Sequence, residues 1–332
     1  YLGGGFGGKL RSMEIIPALL ALKTRRPVKW VFSREEEFLD GGHRLPMVIY
    51  IKDGMKKDGT LVARKMRVII NMGAAAESAG TIIRNCWFGA VGDYRMPNFK
   101  WDAYGVYTNE PPGCSFRGLG SAQVIWAIES HMDMLAEKLG IDPVEIRRKN
   151  LLKEGESNAQ GEIVHSIGIE ECLDKMSEFI QFDQKSPRVG SIKRGKGIAI
   201  GNKYSLAPTT SVCRVKIVEN GDITVYHSAD ELGQGVNTVM AQVAAEEFGI
   251  SMHDVEVAFC DTLFCPYFAG GSTSSRVTFN LGNAVLMACQ EVKQNGLTLD
   301  LHYAFVLHRC WNWIQTVCPR LSVEGTEILK LR

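Results

Sequence analysis

Apolar residues recur at three- and four-residue steps from Gln123 to Leu139, at Ile125, Ile128, Met132, Leu135 and Leu139, and Gly140 follows. This spacing predicts a helix with a glycine stop. Asp142-Pro143-Val144-Glu145 then predicts the N-cap, first-turn proline and capping-box glutamate of a short helix. Alternation over Met47 to Lys52 and Leu61 to Ile70, around Lys57-Asp58-Gly59, predicts a β-hairpin. Nearer the start, Arg11 to Lys23 predicts a helix and Val28 to Phe32 a strand. The polar, basic stretch Asp183 to Lys196 carries Gly, Ser and Pro and predicts a domain boundary. Beyond it, Gly197 to Asn202, Cys213 to Val218, Ile223 to His227 and Val255 to Phe259 predict strands, while Val236 to Phe248 and Leu281 to Gln294 predict helices. Strands and helices intermix without regular βαβ alternation, which favours α+β over a doubly wound sheet.

Composition narrows the class of protein. The 332 residues suffice for two domains, and 45% hydrophobic with 23% charged residues is ordinary for a globular chain. A net charge of +1 gives no reason to expect a nucleic-acid or anionic-membrane surface. No apolar run reaches transmembrane length and no signal peptide is visible, so a cytoplasmic protein is expected. The nine cysteines are scattered without a CxxC pair, and the histidines show no HxxxH or HExxH spacing. Side-chain zinc or iron–sulfur ligation within the chain is therefore not expected, and the thiols read as reduced.

The candidate chemistry lies in glycine-rich loops. Gly3-Gly4-Gly5-Phe6-Gly7-Gly8-Lys9 places five glycines in six positions, a density that suits close backbone approach to a ligand. Gly3, Gly8 and Lys9 fit a Walker A loop, but Leu10 stands where the Mg²⁺-binding hydroxyl belongs. Gly3, Gly5 and Gly8 fit a dinucleotide fingerprint with Glu35 available for a ribose, but only two residues precede them where a strand is required. The third reading is a pterin-cofactor loop. Three further loops favour it: Ser115-Phe116-Arg117-Gly118-Leu119-Gly120, Gly233-Gln234-Gly235 ahead of one helix, and Gly270-Gly271-Ser272-Thr273-Ser274-Ser275 ahead of another. Each supplies backbone N–H groups, hydroxyls or an arginine. Four such loops suit one large anionic ligand better than a nucleotide.

These loops, in this order, resemble the molybdenum-cofactor subunit of the xanthine dehydrogenase/aldehyde oxidase (molybdenum hydroxylase) family. The likeness rests on Gly3 to Lys9, on Phe116 to Gly120 with Gln123, on Gly233-Gln234-Gly235, and on Ser272 to Ser275 followed by Gly282-Asn283-Ala284; it runs from Tyr1 to Gln294. The resemblance implies an α+β fold of two molybdenum-cofactor-binding domains, the second truncated. It implies a molybdopterin, with a cytosine dinucleotide form among the options, whose dithiolene rather than any side chain holds the metal. It also implies oxidation of an N-heterocycle or aldehyde with water as oxygen source, and electrons passing to [2Fe–2S] and FAD partner subunits in a hetero-oligomer. Gly5, Phe6, Gly7, Phe116, Arg117, Gly233, Gln234, Gly235, Ser272, Thr273 and Ser274 would bind the cofactor. Leu10, Arg84, Asn85, Leu119 and Tyr204 would line the substrate pocket.

Departures from the family pattern qualify the expected chemistry. Leu10 replaces the glutamate that follows the first loop's lysine in xanthine-specific members, and Leu119 stands where an aromatic is common, which weakens the case for xanthine and leaves a less polar heterocycle, an aldehyde or a nicotinate-like substrate open. The family's catalytic glutamate, in a Gly-Glu motif, has no match; Glu324-Gly325-Thr326-Glu327 is a superficial echo. The expected layout is a first domain over 1–185, a linker over 186–195, an incomplete second domain over 196–294 and a divergent or frameshifted tail over 295–332. The alternative expectation is a catalytically incompetent fragment or assembly module of the same fold, with an NAD-binding oxidoreductase behind it.

Overall fold

The computed structural model describes residues 2–9, 13–75, 79–184, 190–203, 209–218, 220–258, 261, 263–267, 271–295 and 301–305. The chain divides into two compact units, one of Phe6–Tyr204 and one that joins Tyr1–Gly5 to Ser205–Arg332. Among the described residues no helix is long and apolar enough to cross a membrane.

The first unit is built on a three-stranded sheet with the order β1-β2-β3. The hairpin forms as the alternation requires: β1 (Met47–Met55) pairs antiparallel with β2 (Leu61–Gly73), Met47 opposite Ile70 and Asp53 opposite Arg64. Strand β3 (Asn98–Tyr107) pairs parallel with β2 after a crossover through α3 (Ala79–Val91). Neither α3 nor β3 is announced by the hydrophobic pattern. Helix α4 (Ser121–Leu139) ends on Gly140 in the left-handed conformation, and α5 (Pro143–Asn150) begins at Asp142, whose side chain accepts from the N–H groups of Val144 and Glu145. Glu145 pairs with Arg148 rather than turning back to the cap. The same unit holds α1 (Ile15–Thr24), α2 (Arg34–Asp40) with a full Ser33–Glu36 capping box, and α6 (Ile169–Phe179).

The inward face of β2 carries Arg64, Met66, Val68, Ile70 and Met72, and it packs with Ile82, Val124, Ile128, Met132 and Ile146. The arginine is tolerated there because Asp53, its cross-strand neighbour, takes Nε at 2.9 Å and Nη2 at 2.7 Å, with both side chains sealed from solvent. A second buried centre is Glu129, which accepts from Arg147 Nε at 2.8 Å, Tyr94 OH at 2.7 Å and the Ile200 N–H at 2.9 Å.

Two predicted strands do not form. Gly197 to Asn202 has no ladder, and side chains hold it instead: Glu129 takes the Ile200 N–H, and Asn202 Nδ2 donates to Asp93 Oδ1 at 2.8 Å. Val28 to Phe32 is rich in β-branched and aromatic residues, with Trp30 and Phe32 in edge contact, yet no backbone pairs with it among the described residues.

The second unit has a four-stranded sheet of order β6-β5-β4-β7. Strand β4 (Ser211–Ile217) forms a hairpin with β5 (Ile223–Tyr226), β5 runs parallel to β6 (Val255–Val257), and the backbone of β7 (Leu301–Phe305) pairs antiparallel with β4. The family resemblance read from sequence stops at 294, before β7. Helix α7 (Val236–Phe248) has the predicted bounds, and α8 (Val277–Asn295) starts four residues earlier than its pattern suggests. Small residues let these helices pack closely: Ala241, Ala244, Ala245, Ala284 and Ala288 join Cys213, Val215, Met240, Val285 and Cys289 in the core.

Candidate functional site

In the first unit the latter part of the opening loop is joined to the segment ahead of α4. Phe6 sits at φ 50° and Gly7 at φ 95°, and a Cβ on Gly7 would lie 2.7 Å from the Ser115 carbonyl oxygen. Only glycine fits this approach. The 113–117 segment is tied in turn to residues 43–45: the Cys114 N–H donates to His43 O at 3.0 Å, and a Cβ on Gly113 would strike Leu45.

Gly118, Leu119 and Gly120 all have positive φ, and their turn is closed by Leu119 N–H to Phe116 O and Ser121 N–H to Gly118 O, each at 2.7 Å. The turn leaves Phe116 and Arg117 exposed. Arg44, which the sequence reading missed, fixes this turn from below. Its guanidinium lies 4.7 Å from the Phe116 ring centroid, donates through Nη2 to Arg117 O at 2.6 Å and through Nη1 to Gln123 Oε1 at 3.2 Å. Arg117 has its guanidinium 5.4 Å from the Phe6 centroid and makes no hydrogen bond or ion pair through its side chain among the described residues. The structure thus brings Phe6, Gly7, Phe116 and Arg117 together.

The substrate-pocket candidates are more dispersed in character. Arg84 is exposed on α3. Asn85 is buried and spends its amide on Thr81 O at 2.8 Å, while its own carbonyl accepts from Ser121 Oγ. Leu119 is half-buried against the core. Leu10, Tyr204 and the Glu324–Glu327 echo lie outside the described residues.

In the second unit three glycine segments converge. The Gly4 N–H donates to Leu232 O at 2.6 Å, and Gly233, at φ 101°, comes so near Gly3 that a Cβ would sit 3.2 Å from its nitrogen. Ser272 Oγ donates to Asp230 O at 2.8 Å, joining the loop before α8 to the loop before α7. Within the latter, Gln234 folds back: its Oε1 accepts from the Leu232 N–H at 2.6 Å and its Nε2 donates to Asp230 O at 2.8 Å. Glu231 Oε1 accepts from the N–H groups of Gly233 at 2.8 Å and Gly235 at 3.0 Å. Desolvation pushes the Glu231 pKa up, but N–H groups of Gly235, Gly233, Asn237 and Val236 outweigh it and hold it below the usual glutamate value. These N–H groups, which the sequence reading offered to a ligand, are therefore engaged within the chain. Arg276 closes the Ser272–Ser275 turn by donating to Gly271 O from Nε at 3.2 Å and Nη2 at 2.8 Å. Among the described residues no group of three or more His, Cys, Asp and Glu is placed to hold a metal ion.

Two models of the molybdopterin cofactor-binding domain match the chain, over residues 1–151 and 173–306. The xanthine dehydrogenase molybdenum-binding subunit of Escherichia coli O157:H7 is 33% identical over 322 residues, covering 93% of this chain and 42% of that protein. The aldehyde oxidoreductase of Megalodesulfovibrio gigas is 31% identical over 301 residues, covering 88% of this chain and 33% of that protein. The solved aldehyde oxidoreductase from Desulfovibrio gigas superposes with a TM-score of 0.80 at 28% identity, over 92% of this chain and 36% of that one. The chain thus spans about two fifths of the length of the first curated relatives it matches. Its α+β architecture and its glycine loops have the same origin: the chain belongs to the molybdenum hydroxylase family, of which it carries two molybdopterin cofactor-binding domains.

Proposed function

We propose that this chain is the molybdopterin-holding part of a molybdenum hydroxylase that oxidises an N-heterocycle or an aldehyde and passes electrons to iron–sulfur and FAD partners. The observation that carries the reading is the match of both cofactor-binding domain models, over residues 1–151 and 173–306. The residues present fit such a group. Backbone crowds backbone at Gly7, leaving no room for a side chain, and at Gly233, where a Cβ would press 3.2 Å from the Gly3 nitrogen. Beside these positions, Phe6, Phe116, Arg117 and Gln234 are exposed rather than committed to a core. The bound group would supply the metal centre at which water-derived oxygen and the substrate's electrons are exchanged.

This chain's residues do the holding. Phe6 and Gly7 present backbone to the cofactor. Phe116 and Arg117 meet one of its oxygens; the guanidinium, which makes no hydrogen bond or ion pair among the described residues, has donors to spare. Gln234 exchanges its bonds to Asp230 and Leu232 for bonds to the pterin, and Thr273, Ser274 and Ser272, the last by exchanging its bond to Asp230 O, donate around its phosphate. Gly5, Gly233 and Gly235 supply close approach. Leu10 and Leu119 give the substrate side an apolar lining, which favours an aldehyde or a heterocycle less polar than xanthine; Arg84, Asn85 and Tyr204 complete the proposed lining. Both the pterin alone and its cytosine dinucleotide form fit this reading.

The test is metal and pterin analysis of the full-length protein purified with its partners. Molybdenum and an oxidised-pterin fluorophore in equal amounts support the reading, and a preparation with hydroxylase activity but neither component overturns it. Arg117→Ala is expected to lower molybdenum occupancy several-fold, and unchanged occupancy removes the arginine from its assigned role.

A further inference from the structure

The first turn of α7 is built to receive an anion. The N–H groups of Gly233, Gly235, Val236 and Asn237 lie at the positive end of the helix. The anion that takes them comes from the chain itself: Glu231 Oε1 accepts from Gly233 and Gly235 at 2.8 and 3.0 Å. The same loop is closed a second time by a neutral group, the Gln234 amide, which bridges the Leu232 N–H and Asp230 O at 2.6 and 2.8 Å. The two closures differ in how easily they are exchanged. Gln234 is exposed and uncharged, so a ligand or water replaces its partners at little cost. Glu231 is half-buried and makes charge-assisted bonds at a helix N-terminus, roughly twice as strong as neutral ones.

We propose that Glu231 is a positioning residue of the cofactor loop: its carboxylate holds the turn from Gly233 to Gly235 in shape, so that Gln234 can give up its bonds to the loop and turn to the cofactor. This rests on the reading of Gln234 as a cofactor-holding residue. Two consequences follow from the geometry. The α7 N-terminus is not the seat of the cofactor's phosphate, because a phosphate there would compete with a carboxylate of like charge for the same N–H groups. Glu231 also sets the course of the opening glycines, since Leu232 O accepts from the Gly4 N–H and Gly233 abuts Gly3.

Amide hydrogen exchange on the cofactor-free full chain tests the closure. In Glu231→Ala the amides of Gly233 and Gly235 should exchange at least tenfold faster, with those of α8 unchanged; wild-type rates there overturn the proposal. Glu231→Gln keeps an acceptor without the charge and should lie between the two, which keeps the question answerable if the alanine variant fails to fold. In the wild type, protection should be complete at and above the ordinary glutamate range and be lost as pH falls through the lowered pKa. The glutamine variant should show no such step, and a step of the same position and size overturns the role of the carboxylate. Molybdenum and pterin content of the full-length protein is the second readout. Glu231→Ala and Gln234→Ala should each lose at least fivefold, with partial rescue of the former by Glu231→Gln. Faster exchange with wild-type cofactor content overturns the positioning role. A wild-type protein without pterin overturns the reading beneath it, and the exchange data still report whether Glu231 closes the loop.

Discussion

The two units hold their candidate-site loops by a different balance of near and distant ties. In the first, a turn closed locally between Phe116 and Ser121 is anchored by ties that are long-range in sequence: Gly7 abuts Ser115, Cys114 bonds to His43, and Arg44 bonds to Arg117 O and Gln123. In the second, the loop before α7 is closed mainly by bonds that span two to four residues, from Glu231 and Gln234, with distant ties at Gly4 and Ser272. The cores match this contrast. The first contains buried ion pairs, Arg64 with Asp53 and Arg147 with Glu129, whereas the apolar cluster of the second is packed from Ala, Val, Leu, Ile, Met and Cys. A loop held by distant partners inherits the stability of the whole unit; a loop closed on itself can rearrange while the unit stays folded.

That contrast can be broken at its strongest point by Glu129→Ala. The change leaves Arg147 with a poorer set of partners and frees Tyr94 OH and the Ile200 N–H, all deep in the first unit. The expected loss is about 3–5 kcal/mol, as for removal of one partner of a buried pair, read by urea denaturation. Loss of less than about 1 kcal/mol would mean that the centre does not anchor the unit. Gly7→Ala should come next, at about 1–3 kcal/mol, because its backbone has φ 95° and its Cβ would meet Ser115. If the alanine variant melts like the wild type, the opening loop is not tied to the unit as described.

The smallest effect concerns Asp93, whose pKa is raised by burial against the bond from Asn202, with the Glu129 charge adding to the rise. A carboxyl with a raised folded pKa contributes stability below its unfolded value, near 3.8, and loses it as pH climbs through the raised value. Asp93→Asn should therefore stabilise the first unit at neutral pH, and the advantage should vanish toward pH 3.8. Melting curves at several pH values decide it; an advantage that persists in acid contradicts the assignment.

What could be read from sequence follows the same division between near and far. The hairpin from Met47, the helix before Gly140, the Asp142 cap and α7 are written in periods and caps that span a few residues, and they form where expected. Strand β3 and helix α3 carry no clean period, because Asn98 to Tyr107 mixes Lys, Asp and Gly with aromatics and α3 is buried over more than one face. The segment 197–202 has a strand's composition but is held by two side chains more than seventy residues distant, which no local pattern reveals. At the candidate site the glycines were legible because their density is unusual. Arg44 was not, since nothing local marks the residue that will lie beneath Phe116. Glu231 could have been found: a carboxylate two residues ahead of Gly-x-Gly at a helix start is placed to cap it.

The opening five residues group with the second unit, while Phe6 onward groups with the first. Cutting the chain once at residue 204 therefore does not yield two self-sufficient pieces. The piece from 205 onward would lack the amide of Gly4 that engages Leu232 O, and its loop would face water there. A short synthetic peptide of the opening sequence should bind that piece by refilling this contact, which makes the second unit a natural candidate for reassembly by complementation in trans.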